Sequence, residues 1–350
     1  MSDEFLSRQF FLSAAAPQAD RVAAFEPAPE RARIATVPGP ATTFTPAEVE
    51  QILSQSPKIE LNQTQTMEDF QRLLPEVDVV IGAVNADMLA RAKNLRWMQH
   101  TEAGVDTVLF PELVESPVVV TNMARMFGPC ISETAVGMLL ALTRGLNRYY
   151  IPQFGQRKWF ADRNLVEVDG MTMGIVGMGG IGCATAERFH YGFHMRILAT
   201  DAKPLVKPMY VDTLREPAWL MEMVPQVDVL VSAAPLTKHT ALLFNKQVFR
   251  AMKKTAYFLS LSRGGLVDQP ALEQALKEGW IAGAGLDVTT PEPLAPDAPL
   301  WDCPNTVMTC HTSGFAPQRR IRQMSLIAEN VRRYAAGLPL LNIVDKARGY

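Results

Sequence analysis

The sequence predicts an α/β protein with two doubly wound parallel sheets. Short β-branched runs alternate with helical patterns from residue 33 onward, as in parallel strands joined by crossover helices. Later strands such as AYFLSL, residues 256–261, are nearly continuous in apolar residues, which is typical of a sheet covered by helices on both faces. A glycine motif opens a second series of strands near residue 172, after a complete α/β half. The chain of 350 residues is therefore expected to form two domains.

The first series of elements begins at RIATV, residues 33–37. Residues 1–30 are rich in Ala and Pro and have no period, so they are interpreted as an arm that precedes the fold. The elements predicted next are strands at 77–82, 95–99 and 118–121, with a helix at 86–93.

A longer helix is predicted at residues 131–146. Its apolar residues recur at helical spacing, and Val136 and Leu140 widen the stripe, so the helix is expected to be buried on more than one side. Two interpretations stay open at this point. It is either a core helix or a helix shared between domains or subunits.

The second series contains six predicted strands. They lie at residues 172–177, 195–200, 227–233, 255–261, 281–287 and 305–310. Asp268 is predicted to cap a helix that contains Pro270 and ends before Gly279. The last helix is predicted at about 316–336 and ends at Gly337.

Composition excludes several kinds of partner. The 34 basic and 36 acidic residues give a net charge of −2, without long runs of one sign, so nucleic acid and membrane are not expected partners. A small molecule is expected instead. Four cysteines without CxxC spacing predict reduced thiols in the cytoplasm, and the spacing of Cys303, Cys310 and His311 matches no zinc pattern, so no metal is expected.

The motif GMGGIG predicts a dinucleotide site. Gly177, Gly179 and Gly182 follow a strand and open a helix, where they allow a tight turn, close approach of the backbone to a pyrophosphate, and packing of helix on strand. The N–H groups at the start of that helix favour anions. Asp201 ends the next strand, where its carboxylate would bind ribose hydroxyls and repel a 2′-phosphate, which favours NAD over NADP. Lys203 could hold that phosphate instead.

Charged residues follow three further strand ends, where open α/β sheets bind ligands. Arg263, Asp287 with Glu292, and His311 all stand there. Reduction of a ketone by hydride leaves an alkoxide that needs a proton, which a histidine can donate near neutral pH. A carboxylate would stabilise the imidazolium, and an arginine suits a carboxylate on the substrate.

These motifs resemble the D-isomer-specific 2-hydroxyacid dehydrogenases, in that family's order, from about residue 77 onward. The resemblance rests on GMGGIG, LSRGGLVD, GAGLDVTTPEPL and the histidine of TCHTSG. HTEAGVDTV, residues 100–108, is similar to the family's loop for the substrate carboxylate. The stretch VTNMARMFGPCISETAVGMLLALTR is similar to its hinge and dimerisation helix.

The resemblance implies roles for individual residues. His311 would be the acid/base, Glu292 its partner and Arg263 the substrate anchor. Gly104 and Val105 would bind the substrate carboxylate through N–H groups, as would Ala83 and Val84 on a neighbouring loop. The residues that it implies for the cofactor are Gly177, Gly179, Gly180, Ile181, Gly182, Asp201, Ala234, Pro235, Thr240, Leu261, Arg263, Asp287 and His311, with Asp287 facing the nicotinamide carboxamide.

The resemblance also implies the domain arrangement. Residues 1–124 with 312–350 would form a flavodoxin-like substrate domain, and residues 125–311 an inserted Rossmann NAD-binding domain. A homodimer is expected through the helix near 131–146. Cys310 departs from the proline that commonly precedes the family's histidine. Glu292 argues against the formate dehydrogenase branch, which has glutamine there.

The expected activity is NAD-dependent interconversion of a small 2-oxo acid, such as glyoxylate or hydroxypyruvate, and its D-2-hydroxy acid. An oxidoreductase of the phosphite type is a variant of this hypothesis. The alternative from another class is a catalytically silent NAD-sensing scaffold of the corepressor type, since a fold does not fix a function. The complete set of Arg, Glu and His favours the enzyme.

Overall fold

The computed structural model describes residues 30–159 and 164–350. Its Cα positions divide into two compact units, one that runs to Met126 and resumes at Ala316–Tyr350, and one over Phe127–Phe315. Apart from Glu30, the predicted N-terminal arm lies outside the described residues. The predicted domain boundaries at 124/125 and 311/312 stay a prediction.

The first unit contains a five-stranded parallel sheet in the order β2-β1-β3-β4-β5. Its strands are β1 (Ala32–Thr36), β2 (Ile59–Gln63), β3 (Val79–Ile81), β4 (Trp97–Gln99) and β5 (Val119–Thr121). Its helices are α1 (Pro46–Leu53), α2 (Met67–Leu73), α3 (Ala86–Arg91), α4 (Pro111–Glu115) and, labelled in chain order, α11 (Pro317–Ala335), with a 3₁₀ turn at Leu74–Glu76. This strand order is the flavodoxin-like one.

The second unit contains a seven-stranded parallel sheet in the order β12-β11-β10-β9-β6-β7-β8. Its strands are β6 (Thr172–Val176), β7 (Arg196–Thr200), β8 (Thr213–Arg215), β9 (Val229–Ser232), β10 (Tyr257–Ser260), β11 (Gly283–Leu286) and β12 (Thr306–Met308). Its helices are α5 (Gly128–Thr143), α6 (Ile151–Gln156), α7 (Gly180–Phe193), α8 (Leu220–Met223), α9 (Lys246–Ala251) and α10 (Gln269–Lys277). A π-helical turn spans Leu146–Tyr150, and 3₁₀ turns span Pro217–Trp219, Val224–Gln226, Gly264–Leu266 and Pro299–Asp302.

The sequence therefore predicted the fold class correctly, and both sheets are doubly wound. Strands β9, β10 and β11 are fully buried, and β6 is buried after its first residue, in agreement with the continuous apolar runs. On one face of this sheet the Phe258 ring meets Phe249 edge-on at 5.3 Å, within a core that also holds Phe244. Burying side chains of this kind stabilises a fold by about 1.5–3 kcal/mol each.

Helix α5 begins three residues before the predicted start and ends at Thr143, before Gly145 in a left-handed conformation. It packs on α7, where a Cβ at Gly128 would lie 2.6 Å from the carbonyl oxygen of Gly180. Within the second unit it is therefore a core helix. Among the described residues, no helix is long and apolar enough to cross a membrane.

Candidate active site

The loops with predicted site residues follow the carboxyl ends of parallel strands in each unit. In the second unit they follow β6, β7, β9, β10, β11 and β12, which all run in one direction. The sheet therefore places the glycine motif, Asp201, Arg263, Glu292 and His311 at one edge. In the first unit, Ala83 follows β3 and Gly104 follows the adjacent β4, at one edge of that sheet.

The glycine motif has the geometry of a phosphate-binding turn. Gly177 has a φ of +97°, and a Cβ there would lie 2.6 Å from the backbone nitrogen of Ala234. A Cβ at Gly182 would lie 1.9 Å from the carbonyl oxygen of Gly177, so the first turn of α7 packs on the loop without room for a side chain. Gly179, the N-cap of α7, has open space where a Cβ would point. The described backbone thus fits a dinucleotide whose phosphates approach this helix end.

Asp201 is tied to this turn by its own hydrogen bonds. Its Oδ2 accepts from the N–H of Met178 at 2.7 Å, and its Oδ1 accepts from the N–H of Lys203 at 2.7 Å. Both oxygens retain lone pairs for further donors. The carboxylate is therefore fixed beside the glycine motif, and its contact with the adenosine ribose stays a prediction.

Further residues that are predicted to bind the cofactor lie on neighbouring loops. Thr240 uses its hydroxyl within its own loop, donating to the carbonyl of Pro235 at 2.6 Å and accepting from Thr237 N–H at 2.8 Å. Leu261 is buried and its N–H donates to Ser232 at the end of β9. These contacts show how the loops are built, and a role in cofactor binding stays a prediction.

His311 and Glu292 are brought into direct contact. The imidazole Nδ1 lies 2.7 Å from Oε2 of Glu292, and the other carboxylate oxygen accepts from the N–H of Thr289 at 3.0 Å. Since a carboxylate only accepts, Nδ1 carries the hydrogen and Nε2 is left for a reacting group. Both side chains are partly exposed, at 44% for His311 and 37% for Glu292.

The backbone of His311 has an unusual conformation. Its φ is +57°, in the left-handed region that non-glycine residues seldom adopt and that often marks functional sites. The conformation is held by Asp287, whose carbonyl accepts from the N–H of His311 at 2.7 Å. The surrounding structure thus fixes the direction of the imidazole.

The Asp287 carboxylate anchors the same loop. It is buried, with 2% exposed, and its Oδ1 accepts from the hydroxyl of Thr309 at 2.6 Å and from the N–H groups of Thr312 and Ser313 at 3.1 Å. The Ser313 hydroxyl donates to Oδ2. Sequence reasoning missed this role, although the hydroxyl residues around the histidine were its signal. A contact of Asp287 with the nicotinamide stays a prediction.

Arg263 stands on the loop after β10, and its Nη1 donates to the carbonyl of Ser262 at 3.0 Å. The next residue, Gly264, approaches the loop after β11 so closely that a Cβ would lie 1.8 Å from the carbonyl oxygen of Thr289. Thr289 is the residue that donates to Glu292. The loop after β10, which contains Arg263, and the loop after β11, which contains Glu292, are therefore packed against each other.

In the described ranges, no group of three or more His, Cys, Asp or Glu is arranged to hold a metal ion. All four cysteines are free thiols, and burial raises the pKa of Cys303.

The candidate site of the second unit presents an imidazole, a carboxylate and a guanidinium on loops beside a dinucleotide turn. Those groups can transfer a proton and bind an anion.

Comparisons with known proteins give the same picture. A model of the D-isomer specific 2-hydroxyacid dehydrogenase NAD binding domain matches residues 136–313. A glyoxylate reductase of Korarchaeum cryptofilum is 33% identical over 277 residues, which cover 77% of this chain and 82% of the relative. Two crystal structures each superpose on this chain with a TM-score of 0.76, and each superposition covers 91% of this chain and 100% of the other chain. One is a D-isomer specific 2-hydroxyacid dehydrogenase family protein from Aeromonas salmonicida, 29% identical. The other is an NADPH-dependent glyoxylate/hydroxypyruvate reductase from Sinorhizobium meliloti in complex with NADP and sulfate, 27% identical.

Proposed function

Because the chain belongs to the D-isomer-specific 2-hydroxyacid dehydrogenase family, and is therefore an oxidoreductase with a nicotinamide cofactor, we propose that it reduces a small 2-oxo acid to the D-2-hydroxy acid with NADH. Glyoxylate and hydroxypyruvate are the proposed substrates. The names of the relatives support this substrate class, since glyoxylate reductases from several archaea are 31–35% identical to the chain.

The observation that carries the proposal is the hydrogen bond between His311 Nδ1 and Glu292 Oε2 at 2.7 Å. It fixes the ring orientation and leaves Nε2 available to donate a proton. The carboxylate of Glu292 also lies beside the ring that would carry the transferred proton. An isolated surface histidine would have neither property.

When bound at the glycine motif, a nicotinamide cofactor would supply the hydride that reduces the carbonyl carbon of the substrate. In reduction, the substrate oxygen accepts the proton that His311 Nε2 donates. In oxidation, the same nitrogen accepts the proton of the substrate hydroxyl. Arg263 is the proposed anchor for the substrate through its planar guanidinium. In the first unit, the loops with Ala83 and Val84 and with Gly104 and Val105 are proposed to bind the substrate carboxylate by their N–H groups.

NAD is the proposed cofactor because of Asp201. A carboxylate held at the end of β7 accepts hydrogen bonds from ribose hydroxyls and repels a 2′-phosphate. The Sinorhizobium meliloti reductase is NADPH-dependent, so membership of the family alone does not favour NAD, and the proposal rests on Asp201.

A homodimer is proposed as the working state. Helix α5 is largely covered within its own unit, but the segment after it exposes large apolar side chains. Ile151 is 66% exposed, Phe154 82% and Trp159 100%. Three large apolar side chains exposed within nine residues of the chain support an interface in this segment. Four free thiols also agree with a cytoplasmic location.

Oxidation of NADH in the presence of glyoxylate, hydroxypyruvate, pyruvate and phenylpyruvate tests the proposed activity. Turnover of at least one acid is expected, and chiral analysis should identify the product as the D isomer. Absence of turnover with every acid, together with measurable NADH binding, would instead support the NAD-sensing scaffold.

A further inference from the structure

The loop after β4 in the first unit, residues 101–104, is held by hydrogen bonds to its carbonyl groups. Four consecutive carbonyls accept hydrogen bonds, three of them from side chains. Gln323 Nε2 donates to Thr101 at 3.0 Å, Met123 N–H to Glu102 at 3.0 Å, Asn122 Nδ2 to Ala103 at 2.6 Å and His100 Nε2 to Gly104 at 3.1 Å. The loop is thus fixed without belonging to a helix or a strand.

Two N–H groups of this loop differ from its carbonyl groups in their hydrogen bonding. Among the residues that the structure describes, no acceptor is bonded to the N–H of Gly104 or of Val105. In a trans peptide the C=O and N–H bonds point in opposite directions. The bond from Asn122 to the Ala103 carbonyl therefore directs the Gly104 N–H away from Asn122. The bond from His100 to the Gly104 carbonyl does the same for the Val105 N–H.

We propose that His100 and Asn122 are positioning residues that direct these two N–H groups at the carboxylate of the substrate. This inference rests on the proposed function, in which Gly104 and Val105 bind that carboxylate. Neither His100 nor Asn122 needs to touch the substrate. Each acts through one peptide group.

Burial makes both side chains suitable for this role. His100 is 7% exposed and Asn122 is 6% exposed, so neither has room to change rotamer. Asn122 is fixed further because its Oδ1 accepts from the N–H of Ala124 at 3.1 Å. Donors that are already oriented bind an anion without an ordering cost, and hydrogen bonds to a charged group are the stronger kind.

The test compares isosteric and conservative variants. Asn122→Asp replaces the donor with an acceptor of the same shape, and His100→Leu removes the donor, whereas His100→Gln keeps an N–H of similar reach. Asn94→Asp is the matched control, because Asn94 Nδ2 also donates to a carbonyl, that of Pro75 at 3.0 Å, outside this loop. Circular dichroism and the thermal midpoint identify variants that do not fold.

Four quantities are measured for each variant. They are KM for the best 2-oxo acid and for its neutral methyl ester, the Kd of oxalate in the presence of NADH by calorimetry, and the Kd of NADH. Asn122→Asp and His100→Leu should raise KM for the acid and the Kd of oxalate by about 10- to 100-fold, corresponding to one lost hydrogen bond to a charged group. The ester should lose less than the acid, and NADH binding should change by less than about twofold. His100→Gln should recover most of the loss.

The outcomes separate this inference from the proposed function. Oxalate affinity and KM within about twofold of wild type in both folded donor-removing variants would overturn it, as would equal losses for acid and ester. If the wild-type protein reduces no 2-oxo acid, the proposed function fails, and oxalate binding still decides the inference. Oxalate binding that is present in the wild type and lost in the donor-removing variants supports the inference. A wild-type protein that binds no oxalate overturns the inference.

Discussion

Glu292 holds the imidazole of His311 while being held itself. Its Oε2 lies 2.7 Å from Nδ1 of His311, and its Oε1 accepts from the N–H of Thr289 at 3.0 Å. A carboxylate with both oxygens engaged cannot rotate without breaking a bond, so the imidazole keeps one orientation. The left-handed backbone of His311, at a φ of +57°, is fixed from the other side by the Asp287 carbonyl. The imidazole is therefore oriented before any substrate binds.

His311→Ala tests whether this group transfers the proton. Turnover should fall by roughly 10²- to 10⁴-fold, the range expected for a general acid/base. The Kd of NADH should change far less than turnover, since the glycine motif is unchanged. His239→Ala is the control, because His239 is exposed on the loop after β9 and has no proposed role. Unchanged turnover in His311→Ala would remove the mechanism.

Glu292→Gln tests the carboxylate with almost no change in shape. His311 Nδ1 and the N–H of Thr289 face different oxygens of Glu292, and an amide replaces one of these two oxygens with an NH₂ group that cannot accept. Turnover should fall by at least about tenfold, because the protonated imidazole loses its negative partner. Steady-state kinetics and the crystal structure of the variant check this. A variant as active as wild type would show that the hydrogen bond is only structural.

Much of this site could be predicted from the sequence, because apolar runs locate strand ends and parallel strands bring their carboxyl ends to one edge. GMGGIG, Asp201, Arg263, Glu292 and His311 were found in that way. The local hydrogen bonds could not be found, because they depend on backbone direction. The left-handed conformation of His311 has no signal in its residue type.

The sequence also failed where tertiary contacts outweigh local pattern. Strands β2 and β8 were not predicted, since IELNQ is largely polar and TLR is only three residues long. Both lie at sheet edges, where a strand does not need two apolar faces. The bound carbonyls of the loop that contains Gly104 depend on His100, Asn122 and Gln323, and Gln323 is more than 200 residues away in the chain.

Arg263→Lys tests recognition of the substrate. A lysine keeps the charge but loses the planar fork, so KM for the 2-oxo acid should rise by about 10- to 100-fold. The Kd of NADH should change much less. Arg250→Lys is the matched control, because the Arg250 guanidinium lies over the Trp280 ring, away from the strand ends that form the site. Equal losses for acid and NADH would contradict the proposed role.

Asp201→Asn tests the choice of cofactor. Without the carboxylate, ribose hydroxyls lose a charged acceptor and a 2′-phosphate is no longer repelled, so the ratio of the Kd values should shift toward NADPH by at least about tenfold, or about 1.4 kcal/mol. Fluorescence titration with both cofactors measures it. Asp212→Asn is the control, since Asp212 also accepts from a backbone N–H, that of Ile197 at 2.8 Å. A constant ratio in Asp201→Asn would assign the preference to another residue.

Glu48 should make the stability of the first unit depend on pH. It belongs to the capping box of α1, and Arg320 donates to it through Nε at 2.6 Å and Nη2 at 3.0 Å. The hydrogen bond from Arg320 holds the pKa of the Glu48 carboxyl below its ordinary 4.5. The stabilisation that comes from a lowered carboxyl pKa is complete at a pH above the pKa of the unfolded state. It is lost as the pH falls through the pKa of the folded state.

Glu48→Gln should therefore lower the free energy of unfolding by about 1–2 kcal/mol at pH 7, from the weakened cap and the lost charged hydrogen bonds. The difference from wild type should shrink as pH falls from about 5 toward 2, because wild-type Glu48 also becomes neutral there. Urea unfolding across this range measures it. Glu68→Gln is the control, since Glu68 lies in the first turn of α2 without an ion pair to a described residue, and should change stability by less than about 0.5 kcal/mol. A difference for Glu48→Gln that stays constant with pH would show that the cap alone, and not the carboxylate charge, stabilises this helix.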